Sequence, residues 1–177
     1  MMNDKPTLSV AQSMEMAWRH YQAGTLEDAR MISLRVLQVA PKNPDALHLL
    51  GILAYQANEQ EMAINLITEA IRGAKKFAPM HGNLALAKLA AGDLAGAAMS
   101  ARKAFTLSPS YADAHRVLGL VYQQKGHYAE AISEFTRAAN LGLRSADLQA
   151  HLAKAREQVE AASNAQRAAQ AVRGATR

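Results

Sequence analysis

The 177-residue chain repeats itself with a period of 34 residues, and that period constrains its fold more than any other property of the sequence. The phrase DALHLLG at 45–51 returns as DAHRVLG at 113–119, two periods later. Sliding the sequence by one period aligns further columns. Ala17, Gly51, Ala85 and Gly119 hold the smallest side chains, and Gly24, Asn58, Gly92 and Gly126 are residues that tolerate a left-handed turn. Ala29, Ala63, Ala97 and Ala131 form a third column, and Val36, Ala70, Ala104 and Ala138 a fourth. Alanine is common enough here that one column decides nothing. Four in one register do.

The columns have a physical reading. Each unit begins with an amphipathic helix, Ala46 to Gln56 in the second, which ends at the glycine or asparagine position. A second helix follows, here Glu59 to Gly73. A small residue midway along the first helix lets the second cross it closely, and the alanine column of the second helix receives that contact. Pro41 and Pro109 stop second helices and re-aim the chain. One such hairpin buries too little surface to stand alone, so neighbours must stack. With only 5% aromatic residues, helix packing through small side chains is expected rather than an aromatic-rich β core.

In the fourth unit Leu118-Gly119, Tyr122, Gly126, Tyr128, Ala131, Phe135 and Ala138 resemble the tetratricopeptide repeat at nearly every signature place. The resemblance covers four units, 10–43, 44–77, 78–111 and 112–145, about three quarters of the chain. It departs at Met16-Ala17, which replaces Leu-Gly, and most in the third unit. There Lys88 stands where tyrosine is usual and Ala101 where phenylalanine is usual; Lys75 and Leu143 replace the terminating proline. The resemblance implies an all-α, right-handed α-solenoid of stacked helix-turn-helix repeats. Residues 1–9 read as a lead-in and 146–167 as a capping helix, with Leu148, Leu152, Ala155 and Val159 on one face. Residues 168–177 read as a tail that frays.

Chemistry is sparse. Without cysteine there is no disulfide, thiolate metal site or cysteine nucleophile. The glycines keep the 34-residue phase and form no phosphate-binding loop, and no G-x-S-x-G, H-E-x-x-H or calcium loop is present. His81 and His115 stand one period apart but lack a third ligand nearby, so packing histidines are the reading and no metal or cofactor is expected. Glu27/Asp28 and Glu59/Glu61 lie at second-helix starts, where negative charge suits the helix dipole better than it suits acid–base catalysis. The expectation is a protein that is not itself an enzyme.

In a tetratricopeptide stack the first helices line a concave groove, so the resemblance assigns partner-facing residues unit by unit. The first unit offers Met14, Trp18 and Tyr21; the second offers Asp45, His48, Ile52 and Tyr55. The third offers Gly82, Leu86 and Leu89, the fourth Arg116, Leu120 and Gln123. Family members that hold a chaperone's C-terminal carboxylate use lysine, asparagine and arginine at these places. Here Arg116 is the lone cation among apolar residues, which argues against such a tail and for an apolar helical or extended segment, with Arg116 meeting a carboxylate on it.

A protein-binding adaptor or scaffold is therefore the leading expectation, with a protein or peptide partner that has an apolar face. Two alternatives stay open. The run 43–51 resembles tetratricopeptide modules that precede transferase domains, and the size and groove suit a chaperone for secreted hydrophobic proteins. The net charge of +5 is dispersed and not interleaved with aromatics, which disfavours nucleic acid. Self-association into a homo-oligomer would also use an apolar groove. No signal-like or membrane-spanning stretch stands out, so a cytoplasmic location is the default expectation.

Overall fold

A computed structural model describes residues 8–175; most of the 1–9 lead-in and the last two residues of the 168–177 tail lie outside the described residues. The helices fall two to a period. They are α1 (Val10–Gln22), α2 (Leu26–Val39), α3 (Pro44–Gln56), α4 (Gln60–Gly73), α5 (Ala78–Ala90), α6 (Leu94–Leu107), α7 (Ala112–Gln124) and α8 (Tyr128–Asn140), followed by α9 (Ala146–Ala175). No strand occurs among the described residues.

Local sequence sets the ends. Ser9 and Gln12 form a reciprocal capping box before α1, and the Asn43 side chain accepts from the Ala46 amide with Pro44 at the first helical turn. The turn column does what its residues allow: Gly24, Asn58, Gly92 and Gly126 take φ of 79°, 65°, 80° and 75°, the left-handed region. The acidic pairs divide. Glu27, Asp28 and Glu61 sit in first turns, whereas Glu59 is the N-cap of α4 and makes no side-chain cap hydrogen bond.

The first and second helices of each unit meet through matched volumes. A Cβ on Gly51 would lie 2.5 Å from Ile67 Cγ1, and one on Gly119 would lie 2.5 Å from the Phe135 ring. Ile67 and Phe135 belong to one column with Ser33 and Ala101, each 16 residues after its partner in the small-residue column. Glycine thus faces isoleucine or phenylalanine, and alanine (Ala17, Ala85) faces serine or alanine. The departure of the third unit at Ala101 is compensated by Ala85, and all of these side chains except the glycines are fully buried.

The core is a chain of local clusters, each shared by neighbouring helices, as a quasi-one-dimensional array requires. Successive first helices touch (α1 with α3, α3 with α5, α5 with α7, α7 with α9), while among the described residues no second helix comes within 8 Å of the next second helix, Cα to Cα. The second helices therefore splay outward, and α1, α3, α5 and α7 form the concave wall.

α9 begins as the first helix of a fifth unit. Leu148, Leu152 and Ala155 are buried against α8, Leu152 standing one period after Leu118. It then differs from the expected helix end at 167 and continues as a single helix to Ala175. The cause is local: Glu160 occupies the column of left-handed turn residues, and the alanine-rich sequence after it favours helix. Residues 159–173 are exposed, Val159 included, so the cover stops near Gln158.

Candidate functional site

The concave wall holds a cavity of about 160 Å³ where α1, α3 and α5 converge. Four of the expected groove residues line it: Tyr21, Ile52, Tyr55 and Leu86. Each stands on the turn of its helix that the inter-unit stacking leaves open, and each is partly buried. Gln56, Asn83 and Ile67 of α4 complete the wall. The volume resembles a cavity of about 150 Å³ that takes benzene, so it suits one branched aliphatic side chain or one phenyl ring. Polar groups frame it. Gln56 Nε2 donates to Tyr21 Oη at 3.0 Å, and the Asn83 carboxamide lies 2.9 Å from His48 Nε2.

Beneath that rim is an aromatic stack. Trp18 meets Tyr21 edge-on at 5.7 Å and His48 at 5.8 Å, and His48 meets Phe77 at 6.1 Å. His48 is 3% exposed, and burial lowers its imidazole to about 4, so it is neutral at neutral pH. With the Asn83 nitrogen donating to Nε2, the ring proton sits on Nδ1, a buried atom with no hydrogen-bond partner.

Other expected groove residues are spent inside the protein. Met14, His48 and Leu89 are 4%, 3% and 9% exposed and belong to the interior, because first helices pack on each other as well as on their own second helices. Gly82 is covered by Tyr111, whose ring lies where its Cβ would be. Burial, with the Asp113 carboxylate behind it and Arg116 opposing, pushes the Tyr111 phenol up to about 12. Arg116 does not stand ready for a ligand carboxylate: its Nε and Nη2 are each 2.8 Å from Asp113 Oδ1. Gln123 Oε1 pairs with His151 Nδ1 at 2.9 Å and ties α9 in place, and Leu120 packs between the last two core clusters. Trp18 is partly buried, and Asp45 is exposed at the start of α3.

Sequence reasoning missed Gln56, Asn83 and Tyr111. Asn83 is the one carboxamide on the open face of α5, a signal available in the sequence. Tyr111 precedes α7, outside the helix positions that the family pattern assigns to the groove.

The histidines considered as ligands are occupied. His81 Nε2 lies 3.0 Å from the Lys75 carbonyl, and His115 Nδ1 lies 2.7 Å from Glu134 Oε2. Among the described residues no three histidine or carboxylate side chains gather in a way that could hold a metal ion, and no helix is long and apolar enough to cross a membrane.

A family model described as tetratricopeptide repeat matches residues 112–142. Solved structures share the fold. The Cut9–Hcn1 hetero-tetramer of the APC/C aligns with a TM-score of 0.77 at 21% identity, over 83% of this chain and 30% of that one. A thermophilic TPR protein of Thermus thermophilus aligns with a TM-score of 0.72 at 20% identity, over 83% and 81%. MamA aligns with a TM-score of 0.66 at 22% identity, over 75% and 78%. The chain thus spans under a third of the Cut9–Hcn1 chain but most of the other two. A search of curated protein sequences finds no match.

Proposed function

Taking as premise that the chain is a tetratricopeptide-repeat protein, we propose that it is a non-catalytic scaffold whose concave groove holds an apolar segment of a protein partner. One observation carries this reading: the cavity between Tyr21, Ile52, Tyr55 and Leu86, apolar at its floor and polar at its rim. An apolar side chain of the partner enters the cavity. The Tyr21 hydroxyl proton and the Gln56 and Asn83 carboxamide oxygens, left over from the Gln56–Tyr21 and Asn83–His48 bonds, serve the segment's backbone or polar neighbours, the division of labour usual in pockets. In this reading the groove is narrower than the four-unit ladder expected from sequence. It is centred on the second unit, because the fourth unit commits Arg116 and Gln123 to internal bonds.

The test is peptide display. A random peptide library is panned on the wild-type protein, and the selected sequences are titrated against Leu86→Glu and Tyr55→Ala. The reading expects selected peptides to share an apolar anchor and to bind both variants at least about tenfold more weakly. Selected peptides that bind the variants as tightly as wild type would remove the groove from the account.

A further inference from the structure

The outer surface carries an apolar groove that the concave-face reading does not use. It runs between α2 and α4, whose Cα atoms do not come within 8 Å of each other, and α3 forms its floor. Its volume is about 440 Å³. That is roughly three times a benzene-sized cavity, room for about three apolar side chains. Leu34 and Met62, on opposite walls, are 41% and 52% exposed.

The repeat supplies an internal comparison. Leu34, Ala54, Met62 and Leu66 line this groove. One period on, between α4 and α6, the same places hold Thr68, Lys88, Gly96 and Ser100. Two periods on, between α6 and α8, they hold Arg102, Tyr122, Glu130 and Glu134. Ala54 and Leu66 pack into the core, and Leu37, Leu50 and Leu53 keep apolar counterparts in the later units. At the exposed places of Leu34 and Met62, however, the stacking geometry accommodates small or polar residues, so the fold does not require that exposed pair to be apolar. Exposed apolar surface that packing does not demand marks contact with another molecule.

The walls and rim define that molecule. Both walls are helices whose backbone groups are already bonded within themselves, so an extended segment would find no backbone ladder here and only Arg30, Glu59 and water for its own amides and carbonyls. A helix brings its backbone bonds with it. At the rim stand Arg30 of α2 and Glu59 at the start of α4, and neither side chain forms an ion pair among the described residues. We propose that this groove docks an amphipathic helix of a protein partner. The helix's apolar stripe at i, i+3 or i+4, and i+7 lies between α2 and α4. An acidic residue beside the stripe meets Arg30 and a basic one meets Glu59.

The probe is a synthetic alanine-based helix with three leucines at i, i+4 and i+7, and a glutamate and a lysine flanking the stripe at one end. It is titrated against the full chain by fluorescence anisotropy. The groove variants are Leu34→Arg and Met62→Glu, residues that the repeat already carries at Arg102 and Glu130, so melting temperature should stay at the wild-type value. The expected result is binding to wild type that weakens at least about tenfold in each variant and is unchanged by Leu86→Glu on the concave face. The double variant Arg30→Glu/Glu59→Arg should lose affinity and regain it with a peptide whose two charges are exchanged. No binding to wild type, equal binding to the groove variants, or equal loss with Leu86→Glu would overturn the proposal. Self-association of wild type in sedimentation equilibrium that disappears in Leu34→Arg would overturn it too, by making the occupant a second copy. Because Leu86→Glu separates the two faces, failure here leaves the concave reading to stand or fall on its own test.

Discussion

Volume matching between first and second helices predicts a change of sign that is measurable at one position. In wild type, Gly119→Ala places a methyl group 2.5 Å from the ring of Phe135, which is fully buried. Overpacking of this kind costs roughly 1–3 kcal/mol, against about 1 kcal/mol gained when alanine replaces glycine inside a helix. The net is a loss of about 1 kcal/mol. Phe135→Ala alone leaves a cavity and costs roughly 3–5 kcal/mol. On that background Gly119→Ala recreates the Ala85/Ala101 pair of the third unit, so the clash disappears and only the helical gain remains. The same substitution should then stabilise by about 1 kcal/mol, which gives a coupling energy of about 2 kcal/mol. Urea titration of the four proteins followed by circular dichroism reads all corners of the cycle. If Gly119→Ala changes stability by the same amount and sign in both backgrounds, the glycine column is not there for close approach, and the account of the units is wrong.

Further predictions concern the burial of His48 and the role of α9. The His48 imidazole is lowered from 6.5 to about 4 by burial, so the unfolded chain binds the extra proton between these values and the folded one does not. Its contribution is fully present above about pH 6.5 and is lost as pH falls toward 4, by roughly 3 kcal/mol. The drop in wild-type stability over this window should be visibly smaller in His48→Phe when both are unfolded in urea at a series of pH values; identical slopes would refute it. Truncation before Ala146 uncovers Phe135, Ala138 and Leu120 and should cause aggregation in light scattering. Truncation after Glu160 removes residues 161–173, all exposed, together with the end of the chain, and should leave the melting temperature within about 2 °C of wild type. If the longer truncation behaves like the shorter one, α9 is not a cap.

The period makes most of the fold legible. Left-handed turns require glycine or asparagine, and close crossings require small residues, so both leave columns in the sequence. The third unit's apparent defect, Ala101, is half of a pair whose other half, Ala85, sits 16 residues away; reading columns singly hides the pairing. The end of α9 is hidden for a related reason. Glu160 is informative only as the absence of a turn residue at a place where four earlier units have one. The groove is partly legible: Tyr21, Ile52, Tyr55 and Leu86 surround one cavity. Met14, His48 and Leu89 do not, because periodicity gives the face of a helix but not which turns the next helix covers. Arg116 looks available in sequence, although Asp113, three residues before it, is a partner that helical spacing brings within reach.

The concave reading meets its most direct test in chemical-shift mapping of the labelled protein with a peptide selected by display. The account predicts shifts centred on Tyr21, Ile52, Tyr55, Asn83 and Leu86, with α9 beyond Glu160 unaffected. Shifts confined to the outer helices or to α9 would contradict it.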